Sequence, residues 1–518
     1  MFLLGLDVGT SGCRSALYAP DGNMVAFGYR EYSEYSPKPS WVELDPGEVW
    51  TKVRGCIGES IADIDPGEVA GLSLSALGEA VMPIDSEGNH LYPAITAYDA
   101  RSSGYGDILK WWKGEIDPLD LFAITGTPLN SMPSVNKVLW IKENMPEVFE
   151  KANKFVCFED FIIHKLTGRP AISHSMASRT MMLDISRRDW SEELLDLTDL
   201  DGELLSRALP SGCVAGEVTG ESSGETGLPR GMPVVTGGHD QACGSLGVGV
   251  IGEGPVMDAS GSVECIAAAM GKPVVTEQMM GFGQCCNCHT VEGLYLTLGF
   301  FPSSGIVLRW YRDTFAEREK EEAERRGVDV YDALTAEASK AQPGASGLML
   351  LPHLFGSGTG QPPTLNRNSR GAIIGLSMFH NRASIIRAIL EGVALELRRL
   401  LEFIEVCGIQ ATELRAVGGG ARSPVWLQVK SNVTNRTFIR PDVTEAPSLG
   451  AAILAGVGTG IYRDFDNAIQ TVYREISRFE PDPSLVPLYD RQYEVYKEIY
   501  PALVGIYDDL AELGSCDN

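Results

Sequence analysis

At 518 residues the chain is too long for one hydrophobic core, so two large domains are expected. Hydrophobic residues make up 44% and charged residues 22%, an ordinary globular balance. Lys and Arg number 43 against 69 Asp and Glu, and the resulting charge of −26 argues against nucleic acid or an anionic membrane as partner.

A polyanionic substrate would then need local help from helix N-termini, arginine and a divalent cation. No basic region precedes the short N-terminal apolar run, and Asp7 interrupts it early, so it does not read as a signal peptide. The nearly uncharged run from Leu449 to Tyr462 is Gly-rich and too short to span a bilayer. Eleven cysteines without the spacing of a small disulfide scaffold suit a reduced cytoplasm, the expected location. Cys285-Cys-Asn-Cys-His289 resembles a metal site at first sight. However, no second Cys/His pair stands at zinc spacing, and the alternation through Leu294 fits a buried strand entering a turn.

In chain order, an apolar run from Phe2 passes Asp7 and ends in Gly9-Thr10-Ser11-Gly12. A second run, Ser15 to Ala19, reaches Pro20-Asp-Gly-Asn23, and a third covers Met24 to Tyr29. This pattern predicts a β-meander. Its first turn lacks bulky side chains, so backbone N–H groups can approach an anion, with Asp7 placed to hold a cation and Arg14 nearby. A plain Gly-rich hairpin is the competing reading. Asp45-Pro46 leads into a helix over 47–64, and Val69 to Ser75 forms a strand followed by Ala76-Leu-Gly78-Glu79-Ala80. A further strand over 81–84 and the segment Pro93 to Arg101 complete a mixed sheet with helices packed on it.

Residues 111–185 and 189–205 read as mostly helical, and 212–233 as a Gly- and Ser-rich connection. The strand Pro233 to Thr236 ends in Gly237-Gly-His-Asp240-Gln241. The opening theme then repeats: Leu6-Asp-Val-Gly-Thr-Ser-Gly12 compares with Met257-Asp-Ala-Ser260-Gly261-Ser262. Two similarly built domains, 1–248 and 249–518, are expected. Asn381 caps a long amphipathic helix that Gly408 ends. Leu414 to Val417 runs into Gly418-Gly419-Gly420, with Ser423 as cap and Pro424 at the first helical position. A second helix covers 448–457, and the tail past Pro487 is helical.

No Walker A spacing occurs, and Gly247-Val-Gly-Val-Ile-Gly252 follows a helix-like stretch and not a strand, which weakens a dinucleotide reading. Three small-residue turns remain, at 9–12, 260–262 and 418–421, each leaving a strand. One nucleotide held from two domains across a cleft would use such turns.

On these ordered motifs the chain resembles the FGGY carbohydrate kinases of the actin-like ATPase superfamily. Asn136-Lys-Val-Leu-Trp-Ile-Lys142, Arg370-Gly-Ala-Ile-Ile-Gly-Leu376 and Leu390-Glu-Gly-Val-Ala394 are also similar to family segments. The resemblance implies an α/β protein of two ribonuclease H-like domains, each a mixed five-stranded sheet flanked by helices, with an ATP and sugar cleft between them. It implies ATP-dependent phosphorylation of a small ketose, such as a xylulose or ribulose, or of a polyol, with Asp240 as general base. Asp7 would orient Mg²⁺. Gly9, Thr10, Ser11 and Arg14 would hold phosphates from one side and Ser260, Gly261 and Ser262 from the other. Gly305, Arg309, Gly419, Gly420 and Ser423 would meet the nucleotide, Arg309 being equally readable as a solvated helix residue.

Substrate contacts fall on Gly78, Glu79, Asp99, Met132, Asp240 and Gln241, with Arg101 and Arg179 as further polar groups near the cleft. Asp99, Arg101 and Arg179 read equally as structural ion pairs. Leu77-Gly78-Glu79 replaces the Gln-Met-His of xylulokinases, which puts D-xylulose itself in doubt, and Glu79 disfavours an acidic sugar such as gluconate. Gly356-Ser-Gly-Thr-Gly-Gln-Pro-Pro363 replaces the family's Gly-Glu-Arg-x-Pro stretch. Alternatives are a non-catalytic ATP-binding regulator on the same fold, or a kinase for a glycerol- or erythritol-type polyol or an autoinducer-like compound. A homodimer is compatible with the resemblance.

Overall fold

A computed structural model describes residues 1–101, 108–358 and 366–515. Part of the departure at 356–363, from residue 359 onward, lies outside the described residues.

Near-continuous apolar runs, buried on both faces, build the centre of the first sheet. β1 (Phe2–Val8), β2 (Gly12–Tyr18) and β3 (Met24–Glu31) form the antiparallel meander, and β4 (Val69–Ala76) runs parallel to β1. β5 (Val214–Glu217) and β6 (Pro233–Val235) extend the sheet in the order β5-β6-β4-β1-β2-β3, and β7 (Gly238–His239) pairs with the end of β4. The second sheet contains β8 (Gly254–Ser260), β9 (Glu264–Met270), β10 (Asn287–Cys288), β11 (Tyr295–Phe301), β12 (Ala411–Val417), β13 (Thr437–Pro441) and β14 (Glu475–Phe479). Its order is β10-β11-β9-β8-β12-β13-β14.

Each sheet has seven strands where five were expected. The five-strand core is present twice, as β3-β2-β1-β4-β6 and β11-β9-β8-β12-β13, and each copy carries two added short strands. Edge strands two to five residues long depend on a partner for their pairing and leave little periodicity in the sequence.

The helices bury one face each. In α1 (Pro46–Ser60), Asp45 caps the first turn, and Val49, Trp50, Val53, Cys56 and Ile57 face the sheet at helical spacing. The other helices that matter for the site are α2 (Ser134–Asn144), α3 (Phe158–Thr167), α4 (Asp240–Gly247), α5 (Gly305–Phe315), α6 (Arg382–Val406), α7 (Pro424–Thr434) and α8 (Ala446–Gly458). α8 returns to the first sheet: Leu449, Ala452 and Ile453 share an apolar cluster with Leu3, Ala16 and Tyr18. Contact is so close that a Cβ on Gly5 would overlap the Ser448 carbonyl, and one on Gly450 would overlap that of Cys243 in α4. Among the described residues, no helix is long and apolar enough to cross a membrane.

Candidate active site

Three neighbouring strands assemble the first turn's chemistry. Asp7 on β1 lies opposite Arg14 on β2 and Ser75 on β4. Arg14 Nη1 donates to Asp7 Oδ2 at 3.1 Å and Ser75 Oγ to Oδ1 at 2.8 Å. Burial lifts the Asp7 pKa above its ordinary value, although Arg14 and Ser75 pull it down. A nearby cation would relieve that cost. The turn is tight: the Gly9 N–H donates to the Gly12 carbonyl at 3.0 Å, and the Tyr32 hydroxyl donates to the Gly9 carbonyl. Ser11 is exposed at its tip beside the partly exposed Gly9 and Thr10. Arg14 is also 3.3 Å from Glu445 Oε2 at the start of α8, so it ties β2 to that helix. To reach a phosphate it would exchange a carboxylate partner.

Asp240 opens α4 directly after β7. Glu159, buried on α3, aligns this crossing by accepting from the Gly237 N–H at 2.8 Å and the Ser173 hydroxyl at 2.8 Å. Burial pushes the Asp240 pKa up to about 7, and the charges of Asp7 and Glu79 add to the push; the Gln241 N–H and Arg179 oppose it. About 30% of its side-chain surface is nevertheless open, so water in the cleft tempers that push. Asp240 Oδ1 and Gln241 Oε1 are buried without a hydrogen-bond partner among the described residues. A carboxyl held near neutrality with part of its surface open suits a general base.

Glu79 follows Gly78 at the end of β4, buried and in the left-handed region at φ +61. Such backbone conformations in non-glycine residues cluster at functional sites. Arg179 Nη2 donates to Glu79 Oε1, and Nη1 donates to Asn287 Oδ1 on β10 at 2.7 Å. Cys265 on β9 also lies within electrostatic reach of Asp240 and Arg179. The second half of the chain thus contributes to this corner of the site. Lys137 on α2 is fully buried; its Nζ donates to the Met132 carbonyl and, at 3.5 Å, to that of Glu79, and burial lowers its pKa to about 8. It fixes the Met132 and Glu79 segments together, with Met132 half-buried.

Asp99 departs from its expected role in sugar binding. Its carboxylate is fully buried and accepts from the Val42 N–H at 2.6 Å and from Arg101 Nε and Nη2, both at 2.8 Å. Arg101 also bonds Glu43 at 2.7 Å and lies over the Trp41 ring. With both oxygens taken inside the protein, the structural ion pair is the reading that fits.

The second turn is built on a different charge pattern. Lys430 Nζ on α7 donates to Asp258 Oδ2 at 2.8 Å and to Ser260 and Glu264, and the Ser304 hydroxyl also donates to Glu264. Burial and the Glu264 charge push Asp258 well above the carboxylate range; Lys430 holds Glu264 below it despite burial. Asp258, the counterpart of Asp7, is therefore closed off, while the glycines around it remain open to close approach. The Gly305 N–H donates to the Gly261 carbonyl at 3.0 Å and the Ser304 N–H to that of Ser262 at 3.0 Å, which brings the turn to the N-terminus of α5. Gly418 stands at φ +83 against the Ser260 backbone, where a Cβ would come within 2.6 Å. Gly419 is exposed, Gly420 partly so, and Ser423 caps α7 by accepting from the Trp426 N–H at 3.3 Å. Arg309 stands exposed on α5, one turn beyond Gly305.

Ser75, Glu159, Glu445, Asn287 and Lys430 were not singled out from the sequence. They are single polar residues on unrelated elements, and only the pairing of distant strands gives them a common location. Cys285 to His289 are buried, with 287–288 in β10; among the described residues no group of three or more His, Cys, Asp or Glu forms a metal cluster. The buried-strand reading of this segment fits.

Two sheets of one topology, each ending β1 or β8 in a small-residue turn, define the two-domain actin-like class. The profile for the N-terminal domain of the FGGY family of carbohydrate kinases matches residues 2–247, and that for the C-terminal domain matches 283–459. A gluconokinase of Bacillus subtilis is 30% identical over 478 residues, 91% of each chain. A xylulose kinase of Lactococcus lactis is 29% identical over 518 residues, 99% of each chain. The crystal structure of a xylulose kinase from Rhodospirillum rubrum superposes with a TM-score of 0.87 at 27% identity, covering 98% of this chain and 100% of that one. The chain belongs to the FGGY family of carbohydrate kinases. It is a phosphotransferase with an alcohol group as acceptor, and ATP is the donor its family implies.

Proposed function

We propose that the protein transfers the γ-phosphoryl group of ATP to a hydroxyl of a small neutral ketose, a xylulose- or ribulose-like ketopentose, or of a related polyol. The observation that carries this reading is Asp240: a carboxyl at the start of α4, partly open to the cleft, with a pKa near 7. It would take the proton of the attacking hydroxyl, a contribution typically of about 10²–10⁴-fold. Asp7 offers a hard oxygen donor beside the first turn. It fits Mg²⁺, which takes one or two carboxylates and fills its other positions with water and phosphate. Bound there, the ion would supply charge neutralisation at the phosphates. The turns at 9–12 and 260–262 would cradle the phosphates with backbone N–H groups, and Gly419, Gly420 and Ser423 would line the adenosine side.

Glu79, Asp240 and Asp7 place three carboxylates around the acceptor corner; Arg179 pairs with Glu79 and Arg14 with Asp7, and among the described residues no guanidinium bonds Asp240. That balance favours neutral polyhydroxyl compounds and disfavours an aldonate. The relatives carry both gluconokinase and xylulose kinase names at nearly equal identity, so similarity alone does not choose between them. The test is ADP release by the purified protein with ATP and Mg²⁺ against a panel of ketoses, polyols and aldonates. Turnover stimulated by a neutral ketose or polyol is expected. Preference for gluconate would contradict the neutral-sugar assignment, and ATP binding without sugar-stimulated turnover would point to a regulator.

A further inference from the structure

The oxygen left free on Asp240 has a neighbour that the proposed mechanism does not use. His239 Nε2 lies 3.2 Å from Asp240 Oδ1, close enough to donate although not yet aligned to do so. The imidazole is buried, and burial, reinforced by Arg179, keeps it neutral. A neutral imidazole can carry its single hydrogen on Nε2. Its backbone is fixed: His239 pairs with Ala76 at the end of β4, and its N–H donates to the Ser175 hydroxyl at 3.3 Å.

The ring occupies a space that exists because residue 78 has no side chain. A Cβ on Gly78 would lie 2.8 Å from His239 Cδ2, 2.9 Å from Nε2 and 3.5 Å from Arg179 Nε. Gly78 is not among the residues with positive φ, whereas Glu79 beside it is. The glycine therefore provides room and is not required for backbone freedom.

We propose that His239 is a positioning residue for Asp240, its Nε2–H donating to Oδ1 from the space left by Gly78 so that Oδ2 faces the substrate hydroxyl. This rests on the reading of Asp240 as the base. In the step it serves, the hydroxyl proton passes to Oδ2 and the hydroxyl oxygen bonds to the γ-phosphorus. The bond from that phosphorus to the departing ADP oxygen breaks, and Oδ2 later releases its proton to solvent. The other groups acting on Asp240 are Asp7 from β1, Glu79 after β4, Arg179, Tyr98, Cys243 from α4 itself and Cys265 from β9. A donor to Oδ1 favours the ionised form against the carboxylates among them.

The test compares His239→Leu, His239→Gln, Gly78→Ala, the double variant Gly78→Ala/His239→Leu and Asp240→Asn by steady-state kinetics over pH, with thermal melting as a folding check. His239→Leu should lower kcat by about 10- to 100-fold, with the KM values for sugar and ATP little changed. Its acid limb in kcat/KM should move to higher pH, because the ionised base loses a donor. Glutamine, which can present an N–H at a similar reach, should recover most of the rate. Gly78→Ala should reproduce the loss by displacing the ring, and the double variant should be no worse than His239→Leu. Unchanged kcat in His239→Leu, a loss confined to KM, or glutamine performing no better than leucine would overturn the proposal. If His239→Leu does not fold, an undiminished kcat in Gly78→Ala, whose added methyl group would lie 2.8 Å from the ring, does the same. Undiminished activity of Asp240→Asn would instead remove the base assignment on which the proposal rests.

Discussion

Glu79 and Asp240 show how single residues acquire their properties from neighbours several strands away. Burial and the charges of Asp7 and Glu79 raise the Asp240 pKa to about 7. A base must be ionised to accept a proton, so kcat/KM should fall as the pH drops through about 7 and level off above it; a flat profile down to pH 5 would contradict the assignment. Glu79→Gln keeps the shape but removes the charge that Arg179 neutralises. It should raise the sugar KM by about 10-fold or more, as expected for a lost charged hydrogen bond, and leave the ATP KM unchanged. Equal effects on both KM values would mean that the variant perturbs the cleft as a whole.

At the scale of elements, the opening meander was legible because its information is local. Three apolar runs, a small-residue turn and Pro20-Asp-Gly-Asn23 lie within a single stretch, and the strands fall where the pattern puts them. The helical reading of 111–185 was incomplete. Lys154–Val156 and Ala171–Ser173 are short strands whose pairing partners, Met82–Ile84 and Arg207–Leu209, are distant in sequence. The Gly- and Ser-rich connection over 212–233 holds a strand and the helix Gly220–Thr226, which Thr219 caps by accepting from the Ser222 N–H. The Lys430 network was invisible for a similar reason, since Asp258, Glu264 and Lys430 meet only when the Lys430 side chain of α7 reaches β8 and β9. Replacing Lys430 with methionine would leave two buried carboxyls without their cation. We expect a loss of about 3–5 kcal/mol in urea unfolding, as for other broken buried ion pairs, and a raised KM for ATP because Ser260 loses its anchor. A loss under 1 kcal/mol would show the network to be incidental.

For the whole molecule, the repeated turn motif pointed to two similar halves, but not to α8 lying against the first sheet. Gly5, which permits that contact, and Gly450, which lets α8 meet α4, carry no periodic signal of their own. The net charge of −26 also acts at this scale. It repels ATP at long range, and the Debye length shrinks from about 30 Å at 0.01 M salt to about 8 Å at 0.15 M. Over that range kcat/KM for ATP should rise on the order of 2- to 10-fold. A fall would mean that a local positive field at the cleft outweighs the global charge.

The central claim is that Asp240 accepts the proton of the attacking hydroxyl, and Asp240→Asn tests it most directly because the change is nearly isosteric. With the best acceptor from the panel, kcat should fall by about 10²–10⁴-fold, while calorimetric affinities for ATP and sugar stay close to those of the unmodified protein. Retention of kcat within a few-fold, or a loss explained entirely by weaker sugar binding, would contradict the account.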